Sequence, residues 1–336
     1  MSAIERPSDE FITLLRKSGD HDVNIATAAQ REFAKALETP LRKGVLTGNI
    51  LGNIFETINV EPGASTEYPL DLISPGLEGE HVAYTNPGHG RIPERAVESD
   101  YVQIPTYSIT SSIDYLLRYA REARWDIASR AMQVMEAGFV KKMNDDGWQT
   151  ILAAGTDRNI LVYDGDATAG MFSKRVVSLM QTVMRRNAGG NTGSSNRGRL
   201  TDLYVSPEAL EDVRNWGFDQ IPDSVRANIY NAAGEGPVTN IFGVNLHDLD
   251  ELGEGQQYQT FFTSSTGLNG AVQTADTELI VGLDQSTQDS FIMPMKEGLQ
   301  VFEDPAMHRL QRAGWYGWAE LGFGVLDNRR VILGSF

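Results

Sequence analysis

The chain has 336 residues, of which 41% are hydrophobic and 22% charged, values that suit one large domain or two ordinary lobes and exclude wholesale disorder. It contains no cysteine, which excludes disulfide and thiolate chemistry. The formal charge is -16, and no basic stripe is present of the kind a nucleic-acid reader needs to neutralise phosphates.

The acidity is uneven. Residues 56–104 hold nine acids against Arg91 and Arg95, and residues 200–290 hold fifteen against Arg214 and Arg226. The opening MSAIERPSDEF is polar and charged, unlike a signal peptide. No apolar run approaches the roughly 18 residues of a membrane span.

Residues 1–48 read as an arm with balanced charge. A short helix is expected from about Ala26 to Leu37, ended by Thr39-Pro40, because the residue before proline is pushed out of the helical region. The arm is too poor in apolar residues for its own core, so it is ordered only where it lies on something else, and neighbouring copies are expected to cover it. Residues 53–60 read as a strand. From Pro62 to Pro105 there are six prolines, several glycines and few large apolar residues. A connection of that length is uncommon inside a compact domain. It is expected to be an extended two-stranded ribbon that rests on a neighbouring subunit, since an isolated hairpin is marginal in water.

A long helix is expected to start at Asp114 and run to Asn144 or beyond. Ala128, Met132, Met135, Phe139 and Met143 recur at helical spacing. A second amphipathic helix covers 173–187, with Val176, Leu179, Met180 and Val183 on one face. A flexible Gly/Ser/Asn loop follows to Arg199. DLYV then reads as a strand, Ser206 as an N-cap and Pro207 as a first helical position. TNIFGVNLHDLDEL reads as a turn into a strand and ELIVGLD as a buried strand. In the tail, GFGVLDNRRVIL reads as a hairpin or strand pair around Asp327-Asn328.

Motifs for chemistry are absent. The loop from Gly189 to Arg199 has no lysine to contact phosphates, so it is no Walker motif. Asp20, Asp22 and Asn24 start like a calcium loop, but Ile25 stands where glycine must turn and Arg31 where a bidentate glutamate is required. His21, His81, His89, His247 and His308 lack metal-ligand spacing. The pairs Asp164/Asp166 and Asp248/Asp250 lie in turn-like sequence, and no G-x-S-x-G motif occurs. No catalytic, cofactor-binding or metal site is expected, and no cofactor.

The order of these elements resembles the major capsid proteins of tailed bacteriophages, with an α+β, Hong Kong 97-like fold. The resemblance covers nearly the whole chain. Residues 1–48 resemble the family's N-terminal arm, and 49–110 its extended loop (E-loop) with flanking strands. YSITSSIDYLLRYAREARWDIASRAMQVMEAGF is similar to the return strand and spine helix. DLYVSPEALEDVRNW and NIFGVNLHDLDEL resemble axial-domain steps, and WAELGFGVLDNRRVIL the last peripheral strands. The resemblance implies a peripheral domain at 111–170 and 291–336 and an axial domain at 171–290.

It also implies self-assembly into hexamers and pentamers of an icosahedral virion shell. Such a shell encloses double-stranded DNA without reading its sequence, and its acidic wall does not trap that DNA. Assembly would take place in host cytoplasm with a separate scaffolding protein, or after removal of a scaffolding segment not represented in this sequence, and with a portal and, in some relatives, a decoration protein. Glu78, Glu80, Glu94 and Glu98 of the loop are expected to meet a neighbour's Arg121, Arg124 or Arg130. Exposed pairs contribute only about 0–1 kcal/mol each, so buried area must supply most of the stability. Some relatives weld subunits through a lysine in the extended loop, but residues 51–110 contain none. The alternatives are an encapsulin-like compartment of the same fold, a tail or baseplate protein, and an acidic hydrolase using the carboxylate pairs.

Overall fold

The computed structural model describes residues 9–48, 50–61, 63–69, 101–168, 170–187, 198–216, 240–264, 278–286 and 289–336. In chain order the helices are α1 (Asp9–Ser18), α2 (Val23–Gly48), α3 (Leu117–Arg121), α4 (Trp125–Asp157), α5 (Lys174–Asn187), α6 (Pro207–Asn215) and α7 (Gln257–Ser264). The strands are β1 (Glu56–Asn59), β2 (Glu67–Pro69), β3 (Tyr101–Gln103), β4 (Tyr107–Leu116), β5 (Leu161–Val162), β6 (Asp202–Val205), β7 (Asn240–Ile241), β8 (Val244–Asp248), β9 (Leu279–Leu283), β10 (Phe291–Glu303), β11 (Arg312–Leu321), β12 (Gly324–Val325) and β13 (Val331–Ser335).

The chain divides into two units. One comprises residues 1–67, 103–147 and 292–324, and the other 68–102, 148–291 and 325–336.

The first unit is built on a sheet of order β1-β10-β11-β4, with β12 also paired to β10. β1 runs parallel to β10, whereas β11 and β4 are antiparallel over ten residue pairs, from Arg312↔Leu116 to Leu321↔Tyr107. On β11 Ala313, Trp315, Gly317, Ala319 and Leu321 are buried, while Tyr316 and Glu320 are half-buried and Trp318 is exposed. The period of two puts those buried residues on one face. Helices cover that face: Phe33 of α2 stacks on Trp315, and Phe11 of α1 and Trp125 of α4 meet Phe33 edge-on.

Three expectations are corrected here. The arm is covered by its own unit and not left for neighbouring copies. Leu15, Ala26, Phe33, Leu37, Leu41 and Val45 are all buried. The helix does not stop at Thr39 but runs through Pro40 to Gly48. A proline inside a helix costs about 3 kcal/mol. The apolar line 33, 37, 41, 45 continues on the same face beyond it, and each buried leucine or valine returns about 1.5–3 kcal/mol. The spine helix does not begin at Asp114, because residues 107–116 form β4. The chain then makes one short helix, turns at Ala123 with φ 52°, and starts α4 at Trp125. Its 33 residues extend about 50 Å.

The second unit holds a six-stranded sheet of order β5-β13-β9-β6-β8-β7. β6 and β9 are buried along their whole length, as a central strand requires. α5 packs Val176, Val177, Met180 and Met184 into the same core. The span expected from sequence for this helix agrees with the observed one. The tail is not a hairpin. β13 lies between β5 and β9, while β12 belongs to the other sheet, and Asn328–Arg330 forms one turn of 3-10 helix between them.

Candidate assembly surfaces

The ribbon expected at 62–105 is held at its base. The Thr66 carbonyl accepts from Ile104 N at 3.0 Å, and Thr66 Oγ1 donates to Ile104 O at 2.5 Å. β2 and β3 pair directly above. The chain therefore leaves at Pro69 and returns at Tyr101 side by side. Glu78, Glu80, Glu94 and Glu98, with His81 and His89, lie outside the described residues, as do most of the Gly/Ser/Asn loop and Thr239.

The three arginines differ. Arg121 holds the turn between α1 and α2: Nε donates to Gly19 O at 2.6 Å and Nη2 to His21 Nδ1 at 3.1 Å. Because a guanidinium has only donors, His21 Nδ1 is the acceptor there. Gly19 permits this approach, since a Cβ on it would stand 2.7 Å from Arg121 N. Arg124 pairs with Glu122 at 3.0 Å, both exposed. Arg130 is exposed on α4. Sequence reading could not rank the three, because an arginine on a helix looks the same whether or not a carbonyl lies within reach.

β4 is tied to α4 at its start. Tyr107 Oη donates to Asp146 Oδ2 at 2.8 Å, and Lys142 Nζ to Asp146 Oδ1 at 2.6 Å. Burial and then the Asp146 hydrogen bond raise the Tyr107 phenol above its usual pKa.

In the second unit the expected N-cap is in place: Ser206 Oγ accepts from Ala209 N at 3.1 Å and Pro207 opens α6. Ser206 also donates to the carboxylate of Glu278. Burial raises the Glu278 pKa, and Glu208, Asp212 and Glu254 raise it further against the Ser206 hydrogen bond. Asp202 goes the other way. Burial would raise its pKa, but hydrogen bonds from His247, Thr201 and Asn245 outweigh burial and lower it. His247 Nε2 lies 2.9 Å from Asp202 Oδ1, with the imidazole stacked on Tyr204. Asp284, fully buried, accepts from Gly198 N at 2.8 Å and Arg199 N at 3.2 Å, fixing the return of the chain from the loop.

The tail turn is an ion pair. Arg329, buried, reaches Asp327 with Nε at 2.7 Å and Nη2 at 2.8 Å. Burial works against the Asp327 charge, yet the hydrogen bonds and charge of Arg329 lower its pKa.

The carboxylate pairs do not form clefts. Asp164 caps a turn for Asp166 N and accepts from Ser173 Oγ, and Arg175 lies against both acids. Asp248 and Asp250 are exposed. A cavity of about 350 Å³ is lined by Met171, Phe172, Lys174, Arg175, Asp212 and Trp216, among others. Among the described residues no group of three or more His, Asp or Glu is placed to hold a metal ion. No described helix is long and apolar enough to cross a membrane.

No protein-family model matches the sequence, and no curated protein matches it. Solved structures do. The capsid of Myoviridae phage XM1 aligns with a TM-score of 0.54 at 13% identity, covering 85% of this chain and 90% of that one. The capsid of cyanophage P-SCSP1u gives 0.54 at 14% identity, with 85% and 87% covered. A chain from Microbacterium phage Oxtober96 gives 0.55 at 11% identity, with 86% and 90% covered. At such identities the likeness is one of fold, and it runs through both units. The chain has the Hong Kong 97-like α+β fold that the XM1 and P-SCSP1u capsids share.

Proposed function

We propose that this chain is the major capsid protein of a tailed bacteriophage, whose activity is self-assembly. The observation that supports it most is the fold match to phage capsids over 87–90% of their own length and 85% of this chain. A fold alone hosts many functions. Here it is joined by the pinning together, through Thr66 and Ile104, of the two ends of the segment expected to form the extended loop.

In this reading the first unit is the peripheral part, carrying the arm at 1–48, the base of the loop at 49–110 and most of the spine helix. The second unit, with 171–290 at its heart, is the axial part. Copies associate as hexamers and pentamers of an icosahedral virion shell around double-stranded DNA. A scaffolding protein, a portal and, in some virions, a decoration protein complete the particle. The loop acids Glu78, Glu80, Glu94 and Glu98 would meet Arg130 of a neighbour, since Arg121 and Arg124 are already engaged within their own chain.

The test is expression of the full chain with and without a scaffolding protein, followed by negative-stain microscopy. Closed shells of uniform size are expected. A monomer at assembly concentrations, or rings and tubes alone, would overturn the reading. Particles from infected cells should contain DNA, and a protein cargo in its place would point to a compartment shell.

A further inference from the structure

Phe242 stands in the two-residue turn between β7 and β8, with φ 53°, and Gly243 follows it with φ 80°. Positive φ at both places is the type I′ pattern, whose first place normally goes to Asn, Asp or Gly. An aromatic residue there is strained, and such strain persists at contact sites when the surroundings enforce it. Here they do: Gln181 Nε2 donates to Phe242 O at 3.2 Å, and Gly243 N donates to Asn240 Oδ1 at 3.0 Å. Phe242 is nonetheless 61% exposed, so the strained turn presents an aromatic side chain to solvent.

The cavity at Met171, Phe172 and Trp216 lies at the opposite corner of the same unit. The Phe242 turn adjoins the Asp202 end of β6 and belongs to β7, the outermost strand on one edge of the sheet. Phe172 stacks on Trp216 and meets Phe336 edge-on, and Phe336 pairs with Glu278 at the Val205 end of β6, toward the β5–β13 edge. The cavity has a volume of about 350 Å³. An apolar cavity of about 150 Å³ already takes a benzene ring. Met171, 54% exposed, is an adaptable side chain in its lining.

Charge differs between the two corners. Arg185 stands one turn beyond Gln181, and Arg185 and Arg186 are exposed with no ion pair among the described residues. Beside the cavity, Glu208 and Glu211 are exposed on α6, one turn before Asp212 and Asn215 of the lining. Lys174 and Arg175 line the cavity too, but Asp164 and Asp166 hold Arg175.

We propose that Phe242 of one copy enters this cavity in the next copy, with Arg185 and Arg186 facing Glu208 and Glu211 across the contact. The inference rests on the capsid reading and names the residues that join the axial parts. Knob and cavity occupy opposite corners of one unit, so the contact is head-to-tail, and a head-to-tail contact that closes on itself makes a ring. Each copy in a hexamer or pentamer gives one phenyl group and receives one.

The test replaces Phe242 with p-benzoylphenylalanine, which keeps an aromatic ring at the turn and cross-links on irradiation. Shells are assembled from an equal mixture of ¹⁴N and ¹⁵N chains and the links mapped by mass spectrometry. Mixed-isotope links into residues 167–175 or 212–216 are expected, with a gel ladder that ends at pentamer and hexamer. Links into 240–245 of another copy would mean that two turns meet about a two-fold axis, and same-isotope links that the side chain folds onto its own chain. Either result, or links elsewhere, overturns the inference while shells persist. If the parent chain forms no shells, the capsid reading fails and the inference with it. Phe242→Asn supplies a second readout, because asparagine suits the turn. It should keep or raise the melting temperature of the unassembled chain and raise the assembly threshold about thirtyfold, the mark of a hot-spot residue. A lowered melting temperature would mean that Phe242 serves its own fold, and an unchanged threshold that it plays no part in assembly; either overturns the inference.

Discussion

Phe33 of the arm lies face to face with Trp315 of the sheet, ring centroids 5.2 Å apart and planes 28° from parallel. Both are buried, Phe33 completely. The arm is thus part of the first unit's core. Phe33→Ala should destabilise the unassembled chain by about 3–5 kcal/mol in denaturant unfolding. A loss below about 1 kcal/mol would mean that the arm is an accessory.

Gly19 stands against the backbone of Arg121, where a Cβ would have no room. Gly19→Ala should cost about 1–3 kcal/mol through displacement of the α1–α2 turn. Loss of hydrogen-exchange protection should concentrate in α1 and spare the second unit. Unchanged protection in α1 would contradict the packing described.

Glu278 titrates above its ordinary value of 4.5 because it is buried among Glu208, Asp212 and Glu254. The sign follows from linkage: the folded chain binds a proton there more readily than the unfolded chain, so this group favours folding at low pH. That contribution is lost as pH rises through the folded-state pKa. Glu278→Gln should therefore raise stability near neutral pH and remove one rising component between neutrality and pH 4.5. Parallel pH–stability curves for the two proteins would refute the assignment.

Asp327 holds the buried Arg329 through two hydrogen bonds. Asp327→Asn keeps the shape and removes the charge, and should cost about 3 kcal/mol in chemical denaturation at pH 7. The Asp327 pKa is lowered, so the stability it confers is present above the ordinary aspartate range and lost as pH falls through the folded-state value. The variant should thus lose least relative to the parent in strong acid.

Residues 51–110 contain no lysine. Mature particles should run on a denaturing gel as one monomer band, without a ladder of linked subunits.

Where a feature rests on neighbours in sequence, the sequence alone determined it. The stripe of Val176, Met180 and their neighbours marked α5, and Ser206-Pro207 marked the start of α6, because capping and helical period act within one or two turns. The uninterrupted apolar run of ELIVGLD marked a strand buried on both faces. The lack of lysine in the loop and of metal spacing among the histidines was equally plain. What the tertiary structure decided were matters of partner. Residues 107–116 became a strand because β11, about two hundred positions away, offers a ten-residue ladder. Pro40 stayed inside a helix because Leu37, Leu41 and Val45 are buried on both sides of it. β13 left β12 for a place between β5 and β9. Arg121, Arg124 and Arg130 were indistinguishable until Gly19 and Glu122 were seen beside two of them. Local propensity is worth tenths of a kcal/mol per residue, and burial of a large side chain a few kcal/mol. Long-range contacts therefore override local preference where they conflict, and no single segment of sequence records them.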